Sequence, residues 1–529
     1  MRWCNTIAGR PRACGPPAWR SLALAALAVL ALTRATRAES PPQAAEIPTN
    51  AVEKEESPAL SAARVVEEAV VEAVARAEAS VVAIARFRTD GPTCIQNADL
   101  NSRFLRRNGI PTFGEEHLVP DEFAAGVVID RQGDILTNFH VLGDPRRNRY
   151  VVLAGNHPGE PVRVREVNQV AAGDPWTDLA VLKVEGDDWE PITLGDARQL
   201  RKGQFVISLG NPYQIARDGQ VSASWGMVSH LSHAIPREQW QSGPAPAGEM
   251  LYDYGGLIQT DARLNMGTSG GPLINLRGEM IGLTTALATL QGFEDAMGFA
   301  IPVDASFRRT VASLQAGRHP EFGFLGVAPR DLSETWRQQG SQGVLVAQVV
   351  PATPAAAAEI RKDDILIRLN DLVLRDSQML MCELGKMAPG ETVELVLERG
   401  AQRGRRGREV QTTAVLSKRH IPSAHRGFAQ QEDPRWRGLT IDHATAVLPP
   451  DQLQAALESG APARTLAVRD VHPESPAWAA GIRPGTLITH VQDQRVTTPQ
   501  EFHDTVTPLS GPVELRLATG DPRTLTIRD

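Results

Sequence analysis

Between about Ser80 and Pro302 the chain is a dense series of short apolar runs, each cut off by glycine, asparagine, aspartate or proline. They read SVVAIARF, AAGVVID, DILTNF, RYVVLAG, PVRVREV, LAVLKV, FVISLG, VSASWGMVS, GLIQT, PLINL and EMIGLTTAL. Short runs of this kind, with turn residues between them, argue for extended strands and so for an all-β barrel or sandwich. Arg131-Gln132-Gly133-Asp134, between Ile129 and Ile135, and Leu276-Arg277-Gly278-Glu279, between Ile274 and Ile281, mark two hairpins.

At 529 residues the chain is too long for one hydrophobic core, so further domains must follow this β-rich region. Beyond Ile301-Pro302 a helical stretch runs to about Gln315, and Gly317 to Pro320 reads as a boundary. Two similar units of roughly a hundred residues come next, an internal repeat. The first holds Phe324-Leu325-Gly326-Val327, a strand from Gly343 to Val349, and Thr353-Pro354 opening an Ala-rich helix. The second holds Arg437-Gly438-Leu439-Thr440, a strand near Leu466 to Val471, and Ser475-Pro476-Ala477 opening the matching helix. The expected domains are therefore 61–316, 321–416 and 435–529, with the polar, Pro- and Gly-containing stretch 417–434 as a linker.

The N-terminus adds Arg2, Arg10, Arg12 and Arg20, the apolar stretch Leu22 to Leu32, and the small-residue site Thr36-Arg37-Ala38. This order reads as a secretory signal over residues 1–38, or as a membrane anchor if it stays uncleaved. Residues 39–60, rich in Pro, Ala and Glu, read as a disordered linker. Apolar residues at helical spacing from Ala62 to Glu78 then predict an amphipathic helix with a stripe that packs on something.

A net charge of -7, from 55 basic and 62 acidic side chains, supplies no field for nucleic acid. Of four cysteines, Cys4 and Cys14 leave with a cleaved signal, while Cys94 and Cys382 fall in different domains, so no disulfide framework is expected. Arg403 to Arg408, between two apolar runs, reads as a solvated hairpin tip. His230 and His233 lack further ligands and read as loop residues, so no metal is expected.

Asn265-Met266-Gly267-Thr268-Ser269-Gly270-Gly271-Pro272 is the most informative segment. Attack on a peptide carbonyl needs an exposed hydroxyl and N–H groups aimed at the oxygen that becomes negative. Glycines around a serine permit both, with the N–H groups of Gly267 and Ser269 as the donors. Ser269 needs an imidazole to accept its proton, and the imidazole needs a carboxylate to fix its tautomer. His140, in Thr137-Asn138-Phe139-His140, ends an apolar strand, and Asp178, in Thr177-Asp178-Leu179, immediately precedes another. Each alone reads as well as an ordinary turn, capping or structural residue. Together they occur in the order His, Asp, Ser, which is the trypsin-like order.

The segments GVVIDRQGDILTNFHVL, TDLAVLKV, KGQFVISLGNP, IQTDARLNMGTSGGPLINLRGEMIGLTTA and GFAIP resemble the HtrA/DegP family of secreted serine proteases, over nearly all of the chain after Ser80. The resemblance implies a mainly β fold: a chymotrypsin-like double β-barrel, then two PDZ-like domains, α+β and partly open barrels. It implies an endopeptidase that cleaves unfolded or misfolded proteins without a cofactor, exported to the periplasm, and a homo-oligomer built from trimers. Phe324, Leu325, Gly326 and Val327, and likewise Arg437, Gly438, Leu439 and Thr440, resemble the loops that hold the carboxylate of a peptide C-terminus. The alternative is a proteolytically inactive chaperone or scaffold on the same fold.

Three departures stand out. Thr268 occupies a position where the family has Asn. Glu359 and Asp363 stand where the second unit has Gly481 and Gly485, so a left-handed backbone there is strained. Residues 89–122, with Cys94 and Phe104, match a variable loop.

Overall fold

A computed structural model describes residues 58–89, 120, 122–155, 163–210, 221–233, 250–264, 267–285, 297–338, 340–401, 407–422, 426–458, 465–518 and 524–528. The signal, the 39–57 part of the N-terminal linker, most of the 89–122 loop with Cys94, and most of the basic stretch lie outside these residues.

The β-rich region divides into two halves. The first is an antiparallel sheet of strands Gln169–Asp174, Leu179–Lys183, Asp134–Asn138, Glu122–Val128, Val81–Arg88, Asn148–Ala154 and Arg163–Glu166, in that spatial order. The second is a closed six-stranded barrel of Phe205–Gly210, Ser222–His233, Leu257–Thr260, Pro272–Ile274, Met280–Thr285 and Gly298–Pro302. Register explains why the first-half strands read as unbroken apolar runs. Val81 lies opposite Val127, Val127 opposite Leu136, and Leu136 opposite Val181, all on one face and in one core. Val128, Ile135 and Leu182 alternate onto the other face, in a second core with Ile84 and Val152. A sheet buried on both faces has no polar side to alternate with.

The first core also holds Ile207, Leu209, Leu257 and Leu283 of the barrel and Phe307, Val311 and Leu314 of the helix Ala305–Gln315, so it joins the two halves. That helix starts where Asp304 accepts the Phe307 N–H, and sits near the predicted place. The N-terminal helix, Pro58–Ala77, buries only Ala73 and Ala77 fully, with Val70 and Val74 packed against the same core. Val65, Val66 and Val71 stay exposed, so only the C-terminal half of its stripe is covered.

The repeat units share one topology. Strands Val327–Asp331, Val344–Val349, Ile365–Leu369, Thr392–Arg399 and Arg408–Val415 follow in order across the first. Leu439–His443, Leu466–Val471, Leu487–Val491, Val513–Leu517 and Thr524–Ile527 do so across the second. Each encloses its own core, around Val344, Leu366 and Leu395 in one and Val468, Ile488 and Phe502 in the other. The suspected strain is present: Glu359 has φ 56° and Asp363 φ 68°, the same left-handed path that Gly481 (87°) and Gly485 (84°) take. Matching hydrogen bonds enforce it, Ile360 N–H to Ala355 and Asp363 N–H to Val346 in one unit, Ile482 N–H to Ala477 and Gly485 N–H to Val468 in the other. In the first unit the Arg399 guanidinium adds a hydrogen bond to the Glu359 carbonyl and a pair of bonds to Asp364, which hold the strained turn in place.

Two sequence expectations need correcting. His230 and His233 lie in the strand Ser222–His233, not in a loop. The stretch 417–434 is not merely a connector: Ser417–Lys418 pairs with Gly323–Phe324, and Phe428–Ala429 pairs with Gly173 and Ala172 as an eighth strand on the first-half sheet. Strands of two residues leave no periodicity to read, which is why composition alone gave a linker.

Between the helix Ala305–Gln315 and the two repeat units lies a cavity of about 690 Å3, with no residue of the serine loop in its lining. Lys418 pairs there with Glu321 and Asp442, and Arg469 with Asp433 and Asp442. His319 and His443 face the same cavity, and both are pulled down to about 4, by burial first and then by Arg426 and Lys418 respectively. A histidine depressed in the folded state stabilises the fold above its unfolded pKa of about 6.5, and that stability is lost as pH falls toward 4. Acidification over this window is expected to weaken the junction by on the order of 2 kcal/mol per histidine after solvent screening. Urea midpoints at pH 7 and pH 5, native against His319→Gln/His443→Gln, check this: the double variant should lose much of the difference.

Candidate active site

Strand pairing puts the histidine and the aspartate side by side. Asn138 ends one strand opposite Leu179, the first residue of the next, so His140 and Asp178 emerge from the same end of neighbouring strands. A one-turn helix, Phe139–Leu142, carries His140. Asp178 has a left-handed backbone, φ 56°, which for a residue with a side chain costs about 1–2 kcal/mol and persists only where surroundings enforce it. Here they do. Asp174 accepts the Thr177 N–H at 2.9 Å and its hydroxyl at 2.6 Å, while the Asp178 carbonyl accepts the Phe139 N–H at 3.0 Å and the Asn138 amide at 3.2 Å.

The Asp178 carboxylate is 2 % exposed and lies against both nitrogens of His140 that face it. The His140 backbone N–H donates to Oδ1 at 3.0 Å, and Nδ1 is 3.0 Å from Oδ1 and 2.9 Å from Oδ2. A buried carboxylate accepts only, so Nδ1 carries the proton and Nε2 is left with its lone pair. Burial pulls the imidazole pKa down, but the Asp178 charge and hydrogen bond, helped by Glu122 and opposed by Arg86, leave it raised above its ordinary value. Next door, burial pushes the Asp174 carboxyl up to about 6.

The serine loop is tied to both halves. Ala125 of the first-half sheet donates its N–H to the Ser269 carbonyl at 2.8 Å. Thr284 of the barrel accepts the Gly270 N–H at 2.9 Å and donates its own N–H to Gly271 at 2.8 Å. The Thr284 hydroxyl lies 2.6 Å from the Thr268 carbonyl, which also accepts the Gly271 N–H. A trans peptide directs its N–H opposite to its carbonyl, so the Ser269 N–H points away from Thr284. Gly267 has φ 94°; Asn265 and Met266 lie outside the described residues. Thr268 and Ser269 are both buried. Gly270 has φ 84°, and a Cβ on it would overlap the Ala125 carbonyl and the Thr137 hydroxyl, which are themselves hydrogen-bonded at 2.9 Å. Thr137 is three residues from His140. Thr285, beside the Thr284 that grips the serine loop, places its hydroxyl 3.5 Å from Asp178 Oδ2. The three segments that carry His140, Asp178 and Ser269 thus meet at one seam between sheet and barrel.

Sequence reasoning missed Ala125, Thr137, Thr284 and Thr285. Residues so far apart in the chain leave no local pattern. Asp174 did have a signal, an aspartate three residues before a threonine, which is the spacing of a side-chain-capped turn.

In the first repeat unit Leu325 is buried, Gly326 has φ 92° with no room for a Cβ beside Thr353, and Val327 opens an edge strand. Phe324 pairs with Ser417. In the second, Arg437 and Gly438 have φ 48° and 86°, a Cβ on Gly438 would overlap Ser475, and Leu439 and Thr440 open the edge strand. The Arg437 guanidinium is engaged inside the unit, by the Ile527 and Gly511 carbonyls at 2.7 Å each. The carbonyls of Gly326 and Gly438 are taken by the Val350 and His472 N–H groups, so both loops have the same backbone course.

Residues 124–283 match the trypsin-like peptidase domain family, and residues 323–412 and 467–519 each match a PDZ domain family. The probable periplasmic serine endoprotease DegP-like of Chlamydia trachomatis is 29 % identical over 430 residues, spanning 80 % of this chain and 78 % of the relative. Its namesake in Halomonas elongata is 28 % identical over 387 residues, covering 72 % and 73 %. Among solved structures, the HtrA-type protease AlgW with decapeptide is 24 % identical with a TM-score of 0.46, over 67 % of this chain and 99 % of that one. The serine endoprotease from Yersinia pestis is 23 % identical with a TM-score of 0.40, over 66 % and 97 %.

A peptidase domain followed by two PDZ domains defines a serine endopeptidase of trypsin-like class, with peptide-binding modules on the same chain. More narrowly, the chain resembles the HtrA/DegP family, and its DegP-like relatives match it over 72–80 % of its length. No helix among the described residues is long and apolar enough to cross a membrane.

Proposed function

We propose that Ser269 is the nucleophile, His140 its general base and Asp178 the group that orients the imidazole. The hydroxyl attacks the peptide carbonyl while Nε2 takes its proton; the same proton then goes to the departing amine, and water hydrolyses the acyl-enzyme by the reverse route. The N–H groups of Gly267 and Ser269 receive the oxyanion. The observation that carries this reading is the paired contact of His140 with Asp178, which leaves Nε2 basic.

The substrates are unfolded or misfolded proteins, whose extended chain can pair along a sheet edge and offer its peptide carbonyls. The two edge strands, Val327–Asp331 and Leu439–His443, add a peptide strand, and the glycine loops before them hold its terminal carboxylate. The protein works after export, in the periplasm, as a trimer or an assembly of trimers; native mass measurement tests the assembly.

The chemical test is labelling of the full chain with a fluorophosphonate in the presence of C-terminal peptides, with the adduct mapped by mass spectrometry. The expected adduct is on Ser269. An adduct on another serine, or none with any peptide while unfolded protein is still cleaved, sinks the assignment.

A further inference from the structure

Trp176 precedes Asp178 by two residues, and its indole is 5 % exposed. The partners of its ring come from outside the sheet that carries Asp178. Phe322, at the entry to the first PDZ domain, lies 6.1 Å away between centroids, and Tyr254 of the Leu251–Tyr254 turn lies 6.2 Å away. The Arg419 guanidinium, just past that PDZ domain, stands over the ring at 4.2 Å from its centroid. Gly385, on the PDZ helix Ser377–Lys386, sits so close that a Cβ would come 3.4 Å from the indole. The Trp176 carbonyl accepts the Leu251 N–H at 2.8 Å, and Leu251 in turn abuts Gly385. The indole N–H has no hydrogen-bond partner among the described residues, so packing holds the ring.

The other side of the same segment is gripped as well. Phe428 and Ala429 pair with Gly173 and Ala172, and Gln430 donates its N–H to Ala171 at 3.1 Å. Residues 171–176, which lead into the aspartate, are therefore clasped between the first PDZ domain and the strand that follows it.

We propose that Trp176 is a positioning residue through which docking of the first PDZ domain holds Asp178 against His140. The inference rests on the triad reading above and adds a route to it. Asp178 keeps a left-handed backbone only while its surroundings enforce it, so a loosened Trp176 lets the 174–178 turn relax and the carboxylate leave Nδ1. Turnover falls because the imidazole loses its tautomer and its counter-charge.

A role in packing alone does not move the titration of the histidine, and this separates the alternatives. Free-enzyme activity requires neutral His140, so the acid limb of kcat/KM follows its pKa. Asp178 and Glu122 raise that pKa and Arg86 lowers it; Asp174 and Tyr252 are the other titratable groups near Asp178. Removing the Asp178 contact shifts the acid limb to lower pH while Glu122 and Arg86 stay common to all variants.

The experiment uses the full chain, a fluorescent unfolded protein as substrate, and pH profiles of Trp176→Ala, Trp176→Phe and Arg419→Ala beside the native protein. Trp176→Ala is expected to lose about tenfold or more in kcat with KM changed less than about twofold, and to show its acid limb at lower pH. Arg419→Ala should move both in the same direction by less, and Trp176→Phe should restore values near native. A folded Trp176→Ala with native kcat, or with reduced kcat and an unmoved acid limb, overturns the proposal. Should Trp176→Ala not fold, Arg419→Ala decides by the same criterion. Ser269→Ala runs alongside: if it retains activity the triad reading falls and this inference with it, whereas an inactive Ser269→Ala beside an unmoved acid limb removes this inference alone.

Discussion

The Asp178→Asn variant is expected to fold like the native protein and to turn over about ten-thousand-fold more slowly. The carboxylate accepts two bonds from His140, one from the backbone N–H and one from Nδ1. Asparagine has one acceptor oxygen, and the backbone N–H, fixed by the strand end, competes for it. The NH2 group then faces Nδ1, which must become the acceptor, and the ring proton moves to Nε2. An imidazole protonated at Nε2 has nothing with which to take the Ser269 proton. Steady-state kcat on an unfolded protein, together with the thermal midpoint, checks this. A loss of less than about tenfold would mean that Asp178 is not what orients the histidine.

Gly270→Ala is expected to destabilise the protease domain by roughly 3–5 kcal/mol and to abolish cleavage. Its φ of 84° disfavours any side chain, but that alone is worth only about 1–2 kcal/mol. The remainder comes from position. The added carbon overlaps the Ala125 carbonyl and the Thr137 hydroxyl, and both belong to strands paired on each side. Neither can give way without breaking ladder hydrogen bonds, and Thr137 leads directly to His140. Gly481→Ala is the control, since φ there is 87° and nothing lies within 4 Å of the added carbon. Urea midpoints of the two variants separate backbone strain from steric overlap; equal midpoints would show that the seam is soft.

The contrast between those glycines illustrates how much could be read in advance. The need for a glycine beside Ser269 was visible, because a serine held on a tight turn next to N–H donors implies it. Which glycine tolerates no methyl group depends on Ala125 and Thr137, more than a hundred residues upstream. The two PDZ domains show the same division. Their repeat was legible, and so was the possible strain at Glu359 and Asp363. That the first domain keeps the left-handed path, with Arg399 bracing it, follows from hydrogen bonds between strands and could not be read from either residue.

The linear chain by itself determined the strand-rich region, the repeat and the order His140, Asp178, Ser269, because short apolar runs, turn residues and glycine requirements act over a few neighbours. Tertiary structure alone decided the left-handed Asp178, the Thr284 and Thr285 that join the serine loop to the carboxylate, the strand within 417–434, and the clasp around Trp176. Each of these is a contact between distant segments, and such a contact forms only after the strands on either side have chosen their register, so no local spacing carries its trace.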